Sequence, residues 1–272
     1  MNFRYLSTLC LLWTATLGLL GCGGGGGNDA KTLSEPLLVL PGVFWGTAAD
    51  KEFIGIITPA SQWYGLHYLA EPSFSDPDIY SGSLNGLGKE NAAVSGLRYF
   101  QLSTVYNNVF TGSGAFTSPG SSKLSGEINF NGIAKQKTSF VASQNNYYNF
   151  TQASRLGDIA NTWIGRLSYG EGSASSFAFT VSPTTGVIND SASFGLALDC
   201  KWISPSTAAI NSEGNIFMLE LTMADATSCG FKKQKLTGVA IVQASPVAGK
   251  TQRLIWVATT PTGQGMSFKA DR

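Results

Sequence analysis

Phe217-Met218-Leu219-Glu220-Leu221-Thr222-Met223 carries a large apolar side chain at every odd position, with Met218, Glu220 and Thr222 between. A period of two belongs to a strand with one buried face, because successive side chains leave opposite sides of the backbone. The same period recurs in Phe177, Phe179 and Val181, in Phe194, Leu196 and Leu198, and in Met266, Phe268 and Ala270. Turn-forming clusters separate such runs at hairpin spacing: Ser118-Pro119-Gly120-Ser121, Pro183-Thr184-Thr185-Gly186, Asn211-Ser212-Glu213-Gly214 and Pro261-Thr262-Gly263-Gln264-Gly265. The chain reads as antiparallel and all-β.

Composition agrees. Charged residues are 13% of the 272 and glycine supplies 32, against about 25% and about 7% in an ordinary domain. Helices usually lace their outer faces with Glu and Lys, and too few are present here. With 18 Lys+Arg against 17 Asp+Glu the net charge is +1. That balance excludes a nucleic-acid binder held by a basic excess.

Eight candidate strands lie near 42–48, 52–58, 62–70, 78–87, 92–103, 108–117, 122–130 and 134–142. A second series lies near 162–169, 175–182, 185–191, 193–201, 205–211, 215–224, 235–244, 251–259 and 264–271. Between them Ser154–Ile159 allows one helical turn leading into a Trp-bearing strand. The expected organisation is a signal peptide (1–21), a Gly-rich tether (22–36), and two antiparallel barrel-like or sandwich domains of about eight strands each, at 37–145 and 146–272. Eight strands close into a barrel with room for side chains or one small ligand. Both halves open on a Trp near a Gly, Val43-Phe44-Trp45-Gly46 and Thr162-Trp163-Ile164-Gly165. This resembles the first strand of calycin-type barrels, the lipocalin and avidin group, and implies that each Trp closes a barrel floor. The second half also resembles a group of lipoproteins with a Gly-x-Trp/Tyr-x-Gly opening strand and a late cysteine pair, with Asn161 where their first glycine stands.

The first 21 residues hold one charge, Arg4, then an apolar stretch from Leu9 to Leu20. That stretch is shorter than the ~20 residues needed to span a bilayer and reads as an export signal. Its end, Leu19-Leu20-Gly21-Cys22, resembles the lipobox of bacterial lipoproteins. The resemblance implies cleavage before Cys22, a diacylglycerol on its thiol and an acylated amino group. Gly23, where Asp would retain the chain at the inner membrane, resembles the Gram-negative pattern sent to the outer membrane. Gly23 to Gly27 cannot pack and open a flexible leash of roughly 14 residues that ends near Glu35-Pro36. The layout also resembles surface lipoproteins such as transferrin-binding protein B and factor H-binding protein, without any of their partner-binding motifs. With Cys10 removed and Cys22 lipidated, Cys200 and Cys229 remain. In an oxidising compartment an even remainder reads as one disulfide, worth about 3–4 kcal/mol in the chain-entropy picture. A metal pair is the alternative, and two thiols with one distant histidine make a poor site.

The sequence offers little catalytic chemistry. His67 is the one histidine and shares its strand face with Trp63 and Gly65, with no carboxylate or nucleophile at motif spacing. Asp50, Glu52, Glu71, Asp76, Asp78, Glu90 and Glu127 fall mostly at expected strand ends and turns, where solvated charge is the expectation. A two-carboxylate glycosidase stays open, since separation in space is invisible at this level. Ala244-Ser245-Pro246-Val247-Ala248-Gly249-Lys250-Thr251 nearly fits a phosphate loop, but Ala244 replaces the first glycine and a strand follows. It reads as a hairpin loop. Trp63-Tyr64 with Tyr68, and Tyr147-Tyr148 with Phe150, put one ring of each adjacent pair on either face. The outward ones are candidates for stacking on a sugar or anchoring a partner, with ordinary core packing the alternative. The expectation is therefore a membrane-anchored, non-catalytic binding or structural protein without a cofactor or metal. The rivals are a small-ligand carrier of lipocalin type, a carboxylate hydrolase of envelope glycans and an envelope-assembly subunit.

Overall fold

The computed structural model describes residues 37–68, 77–100, 109–120, 122–131, 137–144, 148–169, 172–190, 201–211, 213–225 and 230–272. Eight strands come first: β1 (Gly42–Ala48), β2 (Lys51–Ile57), β3 (Gln62–Tyr68), β4 (Pro77–Asn85), β5 (Asn91–Phe100), β6 (Val109–Thr117), β7 (Lys123–Asn131) and β8 (Lys137–Gln144). Each pairs antiparallel with the next, and β8 returns to β1 to close a barrel. The turn of helix α1 (Leu156–Ile159) follows, then β9 (Asn161–Tyr169), β10 (Gly172–Val181), β11 (Ile188–Asp190), β12 (Trp202–Ile210), β13 (Phe217–Met223), β14 (Lys235–Ala244), β15 (Gln252–Thr259) and β16 (Gly265–Asp271). Here β16 returns to β9, while Val187, just before β11, makes an isolated antiparallel bridge to Thr207 of β12. Pro205 sits in β12 where the register shifts between Ile203 and Thr207. An edge strand tolerates the missing N–H there. The all-β expectation of two barrel-like sheets of eight strands is what the chain forms. The candidate strand at 193–201 lies almost wholly outside the described residues.

Alternation sends large residues inward. In the first barrel Phe44, Phe53, Trp63, Tyr80, Phe116, Phe130 and Phe140 pack together, with Phe53 and Phe140 stacked at 4.4 Å and Trp63 edge-on to Phe116 at 4.9 Å. In the second, Trp163, Phe177, Phe179, Trp202, Phe217, Trp256 and Phe268 do the same, with Phe179 and Phe268 5.0 Å apart. Each lumen is occupied by the barrel's own rings.

The two opening tryptophans do not match. Trp163 is buried inside the second barrel, where its Nε1 donates to Ile159 O at 2.8 Å and the Arg272 guanidinium lies 4.0 Å over its ring. Arg272 also donates to Ala160 O at 2.8 Å, so α1, Trp163 and β16 are tied together at one barrel end. Trp45 instead faces outward, and Phe44 takes the interior position. The glycines give the correct alignment. A Cβ on Gly46 would lie 1.9 Å from Val141 O of β8, and one on Gly165 would lie 2.3 Å from Lys269 O of β16. Both glycines permit a close strand approach at the closing seam. With Gly46 set against Gly165, Phe44 matches Trp163 and Trp45 matches Ile164, which is 63% exposed. Gly42 then matches Asn161, whose φ of +86° is a conformation that glycine and asparagine tolerate best.

Residues Pro36–Arg272 form one compact unit, because the barrels share a wall. Outward residues Val43, Ile54, Ile56, Tyr64, Leu66, Tyr68 and Ile79 pack in one cluster with Val239, Ile241, Ile255 and Val257. Strands buried on both faces lose their alternation and become continuous apolar runs. Phe53-Ile54-Gly55-Ile56-Ile57 and Leu254-Ile255-Trp256-Val257-Ala258 are such runs. Two polar ties flank the seam: Arg98 Nη1 donates to Thr262 O at 2.8 Å, and Lys269 Nζ lies 3.8 Å from Glu52.

Leu66 is fully buried although it points out of its barrel, whereas Val141 on β8 is 60% exposed. Leu66→Ala is expected to cost about 2–4 kcal/mol in chemical denaturation, and Val141→Ala under about 0.5 kcal/mol. By the same measurement Asn161→Val should cost about 1–3 kcal/mol through its forced positive φ, and Asn161→Gly should be near neutral.

Candidate functional site

Two polar clusters stand out from these apolar walls. The first lies inside the first barrel. His67 on β3 and Asp78 on β4 are directly paired across the strands, and both are buried. His67 Nε2 lies 2.9 Å from Ala48 O, and Nδ1 lies 3.4 Å from the Tyr80 hydroxyl. A carbonyl only accepts, so Nε2 carries the proton and Nδ1 receives one from Tyr80. Tyr99 donates to Asp78 Oδ2 at 2.7 Å, and its ring stacks on Tyr80 at 5.1 Å. Thr138 completes the group through a bond to Tyr80. Asp78 was expected among solvated strand-end charges. It is instead an interior residue, because at the start of β4 it falls on the same face as Tyr80.

Burial holds both tyrosines well above their usual range, reinforced by the Asp78 charge. Burial also lowers the His67 pKa, an effect partly offset by its bond to Ala48 O. At neutral pH the imidazole is uncharged with both nitrogens engaged. The network joins neighbouring strands and offers no free base or nucleophile.

The second cluster lies outside both barrels, at one end of the shared wall. Trp45, Glu52, Gln243, Ala244, Ser245, Pro246 and Arg253 line a cavity of about 570 Å³. A second cavity of about 400 Å³ adjoins it, sharing Gln243 and Ala244 and reaching Tyr148, Asn149 and Gln252. Strand register places these residues. Val239, Ile241 and Gln243 share a face of β14 opposite Val257, Ile255 and Arg253 of β15, so the apolar stripe ends in two polar side chains. Arg253 donates from Nε and Nη2 to the two Asp271 oxygens at 2.8 and 2.9 Å, and Ser245 Oγ donates to Oδ1 at 2.6 Å. Desolvation raises the Asp271 pKa, but the bonds from Arg253 and Ser245 and the nearby cations outweigh it and leave it below the usual carboxylate range. Trp45 is half-buried and meets Tyr148 edge-on at 5.7 Å.

The residues singled out from sequence fare differently. Trp63 fills the first lumen, while Tyr64, Tyr68 and Tyr148 lie in the seam. None of these four is a solvent-facing ring. The near-match to a phosphate loop is the β14–β15 hairpin, closed by Lys250 N to Val247 O at 3.1 Å. Cys22, Cys200, Cys229, Glu71, Asp76 and Tyr147 lie outside the described residues. Among the described residues no three His, Cys, Asp or Glu side chains gather as a metal ion requires. The groove was missed because Trp45, Tyr148 and the Gln243–Arg253 pair of one hairpin come from three distant segments. Its one sequence signal was Gln243, a polar residue continuing the stripe of Val239 and Ile241.

His67 gives a pH signature. The unfolded chain binds a proton near pH 6.5, and the folded chain resists it until lower pH. Stability is therefore full above about pH 6.5 and declines as pH falls through the lowered folded value. Urea midpoints should drop between pH 7 and 5. In His67→Gln that slope should shrink, from a lower starting stability.

No family model matches the chain, and no curated protein matches it. Among solved structures, "a putative outer membrane protein" from Bacteroides fragilis aligns with 10% identity over 86% of this chain and 96% of that one, with a TM-score of 0.25. A likeness of that size transfers neither fold nor function.

Proposed function

We propose that this protein is an outer-membrane lipoprotein, fixed by lipid at Cys22, whose joined barrels bind a ligand or partner without catalysing a reaction. Anchorage rests on Leu19-Leu20-Gly21-Cys22 and the glycine leash behind it. Several acyl chains on one residue hold firmly where one would hold marginally.

The binding role rests on one observation: both lumens are packed with their own rings, and two adjoining cavities open on the outer wall where the barrels meet. A lipocalin-type carrier needs its space inside a barrel. A carboxylate hydrolase needs a free acid pair, and the carboxylates lining this groove, Glu52 and Asp158, belong to different cavities, with Glu52 3.8 Å from Lys269 Nζ.

Labelling cells with radioactive palmitate tests the anchor. The native chain should take up label and sediment with the outer membrane, and Cys22→Ala should be unlabelled and soluble. Unchanged mass and fractionation of Cys22→Ala would overturn the reading.

A further inference from the structure

We infer that the groove at the seam is a saccharide site, taking a neutral oligosaccharide with one ring against Trp45 and hydroxyls on Gln243 and Tyr148. The inference rests on the binding role above and names its ligand class.

Two atoms carry it. Gln243 is 8% exposed and its Oε1 finds no hydrogen-bond partner among the described residues; Tyr148 is 7% exposed and its hydroxyl finds none either. Leaving a buried polar atom unpaired costs about 1–3 kcal/mol. Oε1 only accepts, and the tyrosine, kept protonated across the working range, has a proton to donate. An ion satisfies one of these and not the other. A sugar hydroxyl both donates and accepts, so adjacent hydroxyls of one ring serve both.

The surroundings disfavour an anion. Arg253 is matched by Asp271 and Lys269 by Glu52, which leaves the Asp158 carboxylate as the remaining charge of the lining. Arg253 and Asp271 are held rigidly by their two-point contact. The half-buried indole of Trp45 offers an apolar surface of the kind that packs against the C–H face of a pyranose. Adjoining cavities of about 570 and 400 Å³ give an elongated groove with space for more than one sugar ring.

The test uses the full-length protein in a detergent without a sugar headgroup. Neutral trisaccharides built from glucose, mannose, galactose and N-acetylglucosamine are titrated by calorimetry, with a trigalacturonate as the anionic control. At least one neutral trisaccharide should bind, and the control should not. Trp45→Ala, and Ala244→Trp at an exposed groove position, should each weaken binding about tenfold or more, which is about 1.4 kcal/mol. Gln243→Leu should weaken it similarly while leaving the melting temperature unchanged or higher, since it removes an unpaired buried amide. No binding by any neutral trisaccharide, binding of the anion alone, or binding indifferent to Trp45→Ala and Ala244→Trp would each overturn the site. Those results leave palmitate labelling at Cys22 untouched. Release of shorter sugars from a bound trisaccharide would instead overturn the non-catalytic reading while keeping the site.

Discussion

The wall shared by the two barrels governs the rest of the molecule. A lone barrel with a filled lumen shows water a polar outer surface, and here one sector of each barrel cannot. Ile54, Ile56 and Leu66 on one side and Val239, Ile241 and Val257 on the other are fully removed from water. Burying such a side chain is worth about 1.5–3 kcal/mol, so separating the barrels would expose a surface whose cost is on the order of the net stability of a typical domain. The barrels therefore behave as one body, and features at the edge of their wall are fixed by both.

The groove follows from that geometry. Two convex walls touch along a line and diverge beyond it, leaving a wedge at each end. At the wedge near the β14–β15 hairpin the apolar stripe gives way to Gln243 and Arg253, and Trp45 and Tyr148 close it from the other side. The polar network around His67 has the opposite character. Its donors and acceptors meet one another inside a closed lumen, which makes it a brace between strands.

Much of the fold was legible in the sequence because alternation is a local property. Phe217–Met223 and Met266–Ala270 announce their inward faces without help from any other segment. The seam was less legible, since the unbroken run Leu254–Ala258 reads equally as a buried strand or part of a helix until a second wall is known to cover it. Trp45 was misread for a related reason: Trp and Gly suggested an alignment one residue out of register, and with a period of two a one-residue slip turns a side chain from lumen to exterior. Asp78 was misread because strand ends are usually wet, and this one lies under Tyr80 and Tyr99. The groove was hardly legible, because its residues meet only after both barrels have closed and docked.

Closure by β8 on β1, and by β16 on β9, has a kinetic side. In each barrel the first strand finds its second neighbour only when the last strand arrives, roughly a hundred residues later. Pairings of such long range slow folding, since the chain loses entropy well before the ladder rewards it. Until then the edge of β1 stays open, and the apolar sector meant for the other barrel stays wet. The time between synthesis and closure is thus when this chain is most exposed to wrong pairing.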